Sequence, residues 1–389
     1  MSFNLNTLVC QTSTPPIAEV QSWISDYDGA YGPVLDVAQA VPSFPPAEAL
    51  REHLAKTVID GDSAFYTDIE GLMELRQALA DHMSTDYQGV VTPGQVSITS
   101  GCNQAFCVVM TALATPGDEV ILPAPYYFNH QMWLEMQGVR PVYLPFSENA
   151  AGIPAPETLA SLITDRTRAI ALVSPNNPTG AEYPPDVIDA FYEIAKAANI
   201  ALVIDETYKD FRSVDEPPHR LFQKSDWQDT FVHLYSFSKA YSLTGYRVGS
   251  VIAGPALQTE VGKLLDCMSI CASQIGQHAA LYGLEHLSDW RRGMCTDMAE
   301  RVHTMRKVFA TAGLDYRLIS SGAFFAYVRH PFIGEDSNTV SQRLAKKYGI
   351  LTLPGSMFGP EQDDYLRFAF ANLESNDIPA LAERLIQTQ

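Results

Sequence analysis

The chain has 389 residues, 46% hydrophobic and 18% charged, with 26 Lys and Arg against 45 Asp and Glu and a formal net charge of -19. This composition excludes a disordered segment, and the acidic balance argues against a nucleic-acid surface, which carries the opposite sign. The length points to two domains, and no apolar run approaches the roughly 20 residues a membrane span needs.

Residues 1–45 are dotted with proline and weakly periodic. With Pro15 and Pro16, and without a basic stretch before an apolar core, the start does not read as a secretory signal. Val34–Val41 reads as a short strand, and Pro42, Pro45 and Pro46 keep the following path extended. Helical apolar spacing over Ala47–Ile59 and Leu72–Met83 predicts two helices flanking Phe65-Tyr66-Thr67-Asp68-Ile69-Glu70-Gly71.

From about residue 95 the pattern becomes strand, loop and helix in alternation. Strands are expected at Gln95–Thr99, Glu119–Leu122, Val142–Pro145, Ala169–Val173, Ala201–Asp205, Phe231–Tyr235 and Val248–Ala253. Helices are expected between the earlier ones at Ala105–Ala114, Gln131–Gly138, Ala155–Ile163 and Pro185–Ala198. Short apolar runs separated by helices predict a mostly parallel seven-stranded sheet covered on both faces, an α/β class. No internal repeat is evident, which argues against a solenoid.

After Pro255 two long helices are expected, Ala256–Leu287 and Asp289–Ala312. A smaller α/β unit follows, with strand Phe324–Val328, helix Thr339–Tyr348 stopped by Gly349, strands Ile350–Leu353 and Tyr365–Phe370, and helix Ile378–Gln387. No flexible linker separates the two units.

Several strand ends carry candidate chemistry. Lys239 lies in Ser236-Phe237-Ser238-Lys239, directly after an apolar strand, with Arg247 a short turn later. An amine, hydroxyls and a guanidinium suit a carbonyl cofactor held through its aldehyde, its phosphate taken by serines and arginine. Ser100-Gly101-Cys102-Asn103-Gln104 opens a helix and is either an anion site or an ordinary turn. Asp205 ends Ala201-Leu202-Val203-Ile204. A P-loop enzyme would also place an acid there, but the chain lacks Gly-x-x-x-x-Gly-Lys-Ser/Thr. A buried carboxylate at that point needs a partner such as a protonated ring nitrogen, and Tyr208 is close enough to reach the same ligand. Ser174-Pro175-Asn176-Asn177-Pro178-Thr179-Gly180 is a rigid turn presenting amides. Tyr126 and Tyr127 either stack on a flat ligand or pack in the core. Arg367, among apolar residues, takes a carboxylate or a structural ion pair. His278 and His286 are assigned no role. The six cysteines, Cys10, Cys102, Cys107, Cys267, Cys271 and Cys295, form no Cys-x-x-Cys pair and have no histidine at metal-site spacing. They predict reduced thiols of a cytoplasmic protein and no metal site.

Together these motifs, with Asp205-Glu206-Thr207-Tyr208 and Leu366-Arg367-Phe368, resemble the class I/II aminotransferases, the pyridoxal-phosphate family built on the aspartate-aminotransferase fold. The resemblance runs from Tyr66 to Arg367. It implies a large cofactor domain over residues 46–285 and a small domain over 286–389, joined by the N-terminal segment 1–45. It implies Lys239 as the cofactor-linking lysine and Asp205 as partner of the pyridine nitrogen. Asn177 and Tyr208 would contact the phenolic oxygen, and Tyr127 would stack on the ring. Gly101, Cys102, Asn103, Ser236, Ser238 and Arg247 would hold the phosphate, and Arg367 the substrate α-carboxylate. Tyr66 would reach the phosphate of a neighbouring subunit, implying a homodimer with shared sites. Pro354-Gly355-Ser356-Met357-Phe358-Gly359 and Gly322-Ala323-Phe324-Phe325 also look like family landmarks.

Two departures stand out. Val37-Ala38-Gln39-Ala40-Val41 replaces a more glycine-rich stretch, so Ala40 stands where backbone meets the substrate carboxylate, and Ser321 replaces a frequent proline. The expected activity is transfer of an amino group from an amino acid to a 2-oxo acid by a ping-pong scheme. A carbon–sulfur β-lyase on the same scaffold is the alternative, and a non-catalytic ligand sensor a more distant one. An acidic substrate would want a second cation, for which Arg76 and Lys263 are available but cannot be placed from sequence.

Overall fold

The computed structural model describes residues 3–389; Met1 and Ser2, the start of the expected N-terminal segment, lie outside the described residues. Thirteen strands are described: β1 (Leu35–Asp36), β2 (Val96–Thr99), β3 (Glu119–Pro123), β4 (Arg140–Leu144), β5 (Thr167–Val173), β6 (Ala201–Asp205), β7 (Phe231–Ser236), β8 (Gly249–Ile252), β9 (Arg317–Gly322), β10 (Phe325–Arg329), β11 (Ile350–Leu351), β12 (Leu353–Pro354) and β13 (Tyr365–Ala369). The helices used below are α1 (Thr7–Gln11), α2 (Pro16–Ser22), α3 (Glu48–Asp60), α4 (Met73–Tyr87), α5 (Cys102–Leu113), α6 (Phe128–Met136), α7 (Pro185–Ala197), α8 (Phe237–Ala240), α9 (Pro255–Ser269), α10 (Gln274–His286), α11 (Ser288–Phe309), α12 (Ser337–Tyr348) and α13 (Ile378–Ile386).

The large sheet has seven strands in the order β2-β8-β7-β6-β5-β3-β4. Only β8 runs against the rest, antiparallel to both β2 and β7. The period-2 alternation of its strands covers both faces. Ile170, Leu172, Leu202 and Ile204 point into one core with Leu79, Phe191 and Ala280 from α4, α7 and α10. Ala169, Ala171 and Val203 point the other way, onto Phe106, Leu134 and Leu265 from α5, α6 and α9. Each such buried aliphatic side chain contributes about 1.5–3 kcal/mol of transfer free energy.

The second unit is the antiparallel sheet β12-β13-β10-β9, packed by α11, α12 and α13 around Met305, Leu344 and Leu381. The N-terminal segment belongs to it. β1 pairs in parallel with β11, and Val37 continues by donating to the Leu351 carbonyl at 2.9 Å and accepting from the Ala369 amide at 2.7 Å. Tyr208 and Phe211, just beyond β6, reach into this second core. The ends of the central parallel strands therefore open where the two cores meet, the place where open α/β sheets bind ligands.

Several sequence expectations are corrected. The helix expected over Ala256–Leu287 is two helices, α9 and α10. Ser269-Ile270-Cys271-Ala272-Ser273 has weak helix preference, and Ile270 takes φ 64° while the Cys271 amide donates to the Ser269 carbonyl at 2.7 Å. Ala155–Ile163 forms only a 3-10 turn at Pro156–Ser161, beginning on a proline. The strand expected over Val34–Val41 is short: it is a strand only over Leu35–Asp36, with Val37 adding the last contacts before Asp36 Oδ1 accepts from the Ala38 amide and turns the chain. Ile350–Leu353 divides at Thr352, whose hydroxyl donates to the Arg367 carbonyl at 2.6 Å. β9 had no sequence signal, because Arg317-Leu318-Ile319-Ser320-Ser321-Gly322 is a half-exposed edge strand without an apolar run.

Candidate active site

Lys239 lies on α8, a single helical turn directly after β7. Ser236 caps that turn, its Oγ accepting from the Ser238 amide at 3.2 Å. The cap aims the lysine across the sheet's end into a cavity of about 240 Å³. Cys102, Asn103, Tyr127, Asn177, Asp205 and Tyr208 line it, as do Ser236, Ser238, Lys239 and Arg247. Ten expected site residues, drawn from six loops and strand ends, thus share one space.

Lys239 Nζ donates to the Ala40 carbonyl at 2.6 Å. Burial, then the cations Arg367 and Arg247, bring its pKa down to about 8, against the pull of Asp205. The amine is therefore poised for nucleophilic and basic work near neutrality. Asp205 ends the buried strand β6. Burial works to raise its pKa, but the His130 imidazole and two donors from Thr207 outweigh it and hold the carboxyl below its usual range. His130 Nε2 stands 3.4 Å from Asp205 Oδ2, while Thr207 donates to Oδ1 through its amide at 3.0 Å and its hydroxyl at 2.6 Å. The His130 ring stacks on Phe106, centroids 3.7 Å apart.

Tyr127 precedes α6, its hydroxyl accepting from Asn129 Nδ2 at 2.9 Å. Burial raises its phenol to about 12, so it stays protonated. Tyr208 is buried edge-on against Phe324 and Phe325, and burial raises its phenol as well. Arg367, on β13, donates to Asn177 Oδ1 at 3.1 Å and to the Ala38 carbonyl. Burial brings its pKa down to about 10, and its Nε is buried with no hydrogen-bond partner. Phe325 and Phe358 sandwich its guanidinium at 5.3 and 5.1 Å.

The N-terminus of α5 completes the cavity. Its N-cap is Gly101, at φ 86° and with no side-chain cap, so the first-turn N–H groups are open to an anion. Arg247, itself at φ 53°, donates to the Ser100 and Thr244 carbonyls beside it. A Cβ on Gly101 would stand 2.4 Å from Arg247 Nη2, so the glycine makes room for the guanidinium. If the phosphate of the cofactor that the sequence resemblance implies sits at this helix start, Gly101→Ala is expected to weaken its binding by about 10- to 100-fold, through clash and a disfavoured φ. Titration of the protein with the cofactor would measure it.

Tyr66 stands apart. It is 74% exposed beside Phe65, outside the cavity of its own chain. Four lining residues had not been singled out: Val41, Val173, Thr207 and Thr244. His130 was also missed, although it lies one helical turn after Tyr127. A larger cavity of about 590 Å³ holds two ion pairs among its lining residues, Lys209 with Asp86 at 2.6 Å and Arg291 with Asp210. Among the described residues no cluster of three or more His, Cys, Asp or Glu is placed to hold a metal, and no helix is long and apolar enough to cross a membrane.

Lys239, the buried Asp205, Arg247 and the uncapped start of α5 thus meet at one cavity. The chain belongs to the class I and II aminotransferases, whose family model matches residues 32–385. It is a pyridoxal-phosphate-dependent transaminase acting on amino acids and 2-oxo acids. It is 28% identical over 380 residues to an aromatic aminotransferase, ISS1, of Arabidopsis thaliana, covering 96% of this chain and 93% of the relative. It is 28% identical to an aspartate aminotransferase of Sulfolobus acidocaldarius, covering 88% and 87%. Its fold matches a mutant aspartate aminotransferase of Thermus thermophilus with a TM-score of 0.91 at 24% identity, over the whole of both chains.

Proposed function

We propose the following division of labour. Lys239 links to the cofactor aldehyde and later moves the substrate's Cα proton. Asp205 holds a proton on the ring nitrogen, and Tyr127 stacks on the ring. Asn177 and Tyr208 donate to its phenolic oxygen. Gly101, Cys102, Asn103, Ser236, Ser238 and Arg247 hold the phosphate, and Arg367, beside Ala40, takes the substrate α-carboxylate. The observation that carries this reading is the meeting of Lys239, Asp205 and Arg247 in one cavity, with Arg367 joined to it through Asn177.

The residues present fit the cofactor. The uncapped start of α5 and Arg247 offer donors for a dianion, and the carboxylate held on Asp205 suits a protonated ring nitrogen. When bound, pyridoxal phosphate supplies a conjugated ring that accepts the electron pair left as the Cα proton departs. The protein's own part is positional and protonic. The Asn177 carbonyl oxygen already bonds Arg367, which leaves its NH2 to donate and ties the ring's orientation to the carboxylate site. Lys239 exchanges the Ala40 carbonyl for the Cα proton, and its depressed pKa lets it collect and return that proton near neutral pH.

Arg367→Ala is expected to lower kcat/KM for amino acids by about 100- to 10,000-fold, the cost of losing a buried charge-pairing partner. The absorbance of lysine-linked cofactor should stay unchanged. Unaltered kcat/KM would overturn the carboxylate role.

The exposed Phe65 and Tyr66 support a homodimer in which Tyr66 enters the neighbour's site. Sedimentation should give twice the 42.8 kDa chain mass. The six free thiols support a reducing, cytoplasmic compartment.

A further inference from the structure

We propose that this transaminase works between neutral partners in both half-reactions: a large apolar or aromatic amino acid gives the amino group, a 2-oxo acid with an uncharged side chain receives it, and dicarboxylic substrates are refused. The inference rests on the reading that Arg367 takes the α-carboxylate. The relatives do not decide the point, since some are named for aromatic and some for aspartate substrates. The charges of this chain do.

A second carboxylate, carried into a buried site, needs its own cation, because an unpaired buried charge is strongly unfavourable. Three cations serve the cavity. Lys239 is needed at Cα, Arg247 is packed on Gly101 beside the start of α5, and Arg367 is joined to Asn177. His130 is committed to Asp205 at 3.4 Å. The two cations left open by the sequence are elsewhere. Arg76 is buried and bonded to the Pro93 and Val96 carbonyls, and Lys263 is exposed and paired with Glu260 at 2.8 Å.

The N-terminal segment cannot supply a substitute. It brings Val41 into the cavity and sets the Ala38 and Ala40 carbonyls against Arg367 and Lys239, yet residues 1–50 contain no Lys, Arg or His. A second copy of the chain does not supply one either. A copy that presents Tyr66 also presents its flanks, and residues 57–75 and 264–290 contain no Lys or Arg. These two stretches are joined, Gln274 Nε2 donating to the Phe65 carbonyl at 2.7 Å. The histidines of the second stretch are engaged, His278 with Gln274 and His286 near Glu285. Asp68 and Glu70 add negative charge there.

Aromatic side chains pack around Lys239 and Arg367. Phe324 and Tyr208 stand 6.0 and 5.9 Å from Lys239 Nζ, and Phe325 and Phe358 face Arg367. Ile17 and Met357 pack on the same apolar cluster as Tyr127. In the joined flank, Ile270 is held at φ 64°, ψ -58°, a conformation strained for a β-branched residue, with its side chain 40% exposed. A single site serves both half-reactions of a ping-pong enzyme, so donor and acceptor meet the same charges.

The test uses the holoenzyme. Phenylalanine, leucine and methionine are compared with aspartate and glutamate as donors, and phenylpyruvate with oxaloacetate and 2-oxoglutarate as acceptors. Binding of the unreactive 3-phenylpropionate and succinate is measured by calorimetry. Neutral substrates should lead in kcat/KM by at least about 100-fold, and 3-phenylpropionate should bind correspondingly tighter. Equal or better use of aspartate or 2-oxoglutarate, or tighter succinate binding, overturns the inference. Arg367→Ala separates the two readings. If it abolishes turnover of preferred dicarboxylates, only the neutral-substrate inference falls. If it leaves turnover intact, the carboxylate role falls, and this inference with it.

Discussion

Replacing Lys239 by alanine is expected to lower transamination by at least about 10,000-fold, since in the proposed division of labour one side chain carries both the covalent link and the proton transfer. The protein should still take up pyridoxal phosphate, because Arg247, the α5 terminus and Asp205 are untouched. The absorbance of lysine-linked cofactor should be lost, leaving that of the free aldehyde. A chain that still turned over amino acids at a tenth of the normal rate would remove Lys239 from the mechanism. The wild-type protein gives a companion result. Only the neutral amine attacks an aldehyde, and burial with Arg367 and Arg247 places the Lys239 pKa near 8. Deprotonation increases as pH rises, so the rate of cofactor capture by cofactor-free protein should climb through pH 7 and level off above about 8. An unperturbed lysine would still be climbing at pH 10. Arg367→Ala should move the plateau to higher pH by removing the larger of the two cationic contributions.

The parts of this molecule legible in the sequence are those where local pattern and tertiary role agree. The buried strands carry continuous apolar runs because both faces are covered, so their positions along the chain could be read directly, and ten of the residues expected at their ends line one cavity. β9 was invisible for the opposite reason: an edge strand with one wet face needs no apolar run. The break between α9 and α10 was obscured because apolar spacing continues through it, and the weak helix preference of residues 269–273 is evident only once the break is located. Gln277 ties the start of α10 to a distant segment by accepting from the Leu72 amide at 2.7 Å, and it donates to the Ala272 carbonyl at 2.8 Å. His130 illustrates a third limit. Its role comes from facing Asp205 across 75 positions of sequence, and a histidine on a helix gives no sign of that. The fate of Arg76 and Lys263 was likewise undecidable from sequence, since only packing shows that one is bonded to carbonyls and the other lies on the surface.

Asp205→Asn is expected to lower kcat by about 1,000-fold, with the cofactor still bound and linked to Lys239. The amide keeps the size of the carboxylate but could not hold a proton through charge on the ring nitrogen proposed to face it, which would remove the electrostatic stabilisation of the reacting centre. The surroundings show how firmly the charge is kept. Asp205 is buried, and burial alone would favour its protonated form, but His130 and both Thr207 donors pull the other way and win. His130→Asn should therefore act as a graded version of the same change. It leaves Asp205 in place and removes its largest stabilising neighbour, so the carboxyl pKa should rise. The sign follows directly: a carboxyl held below its usual range loses its charge only as pH falls through that lowered value, so raising the value moves the acid limb of kcat to higher pH. The expected outcome is about a tenfold loss of kcat at neutral pH, with the acid limb shifted upward. A variant that lost stability alone would show lower active content but an unmoved profile, and that outcome would limit His130 to packing against Phe106.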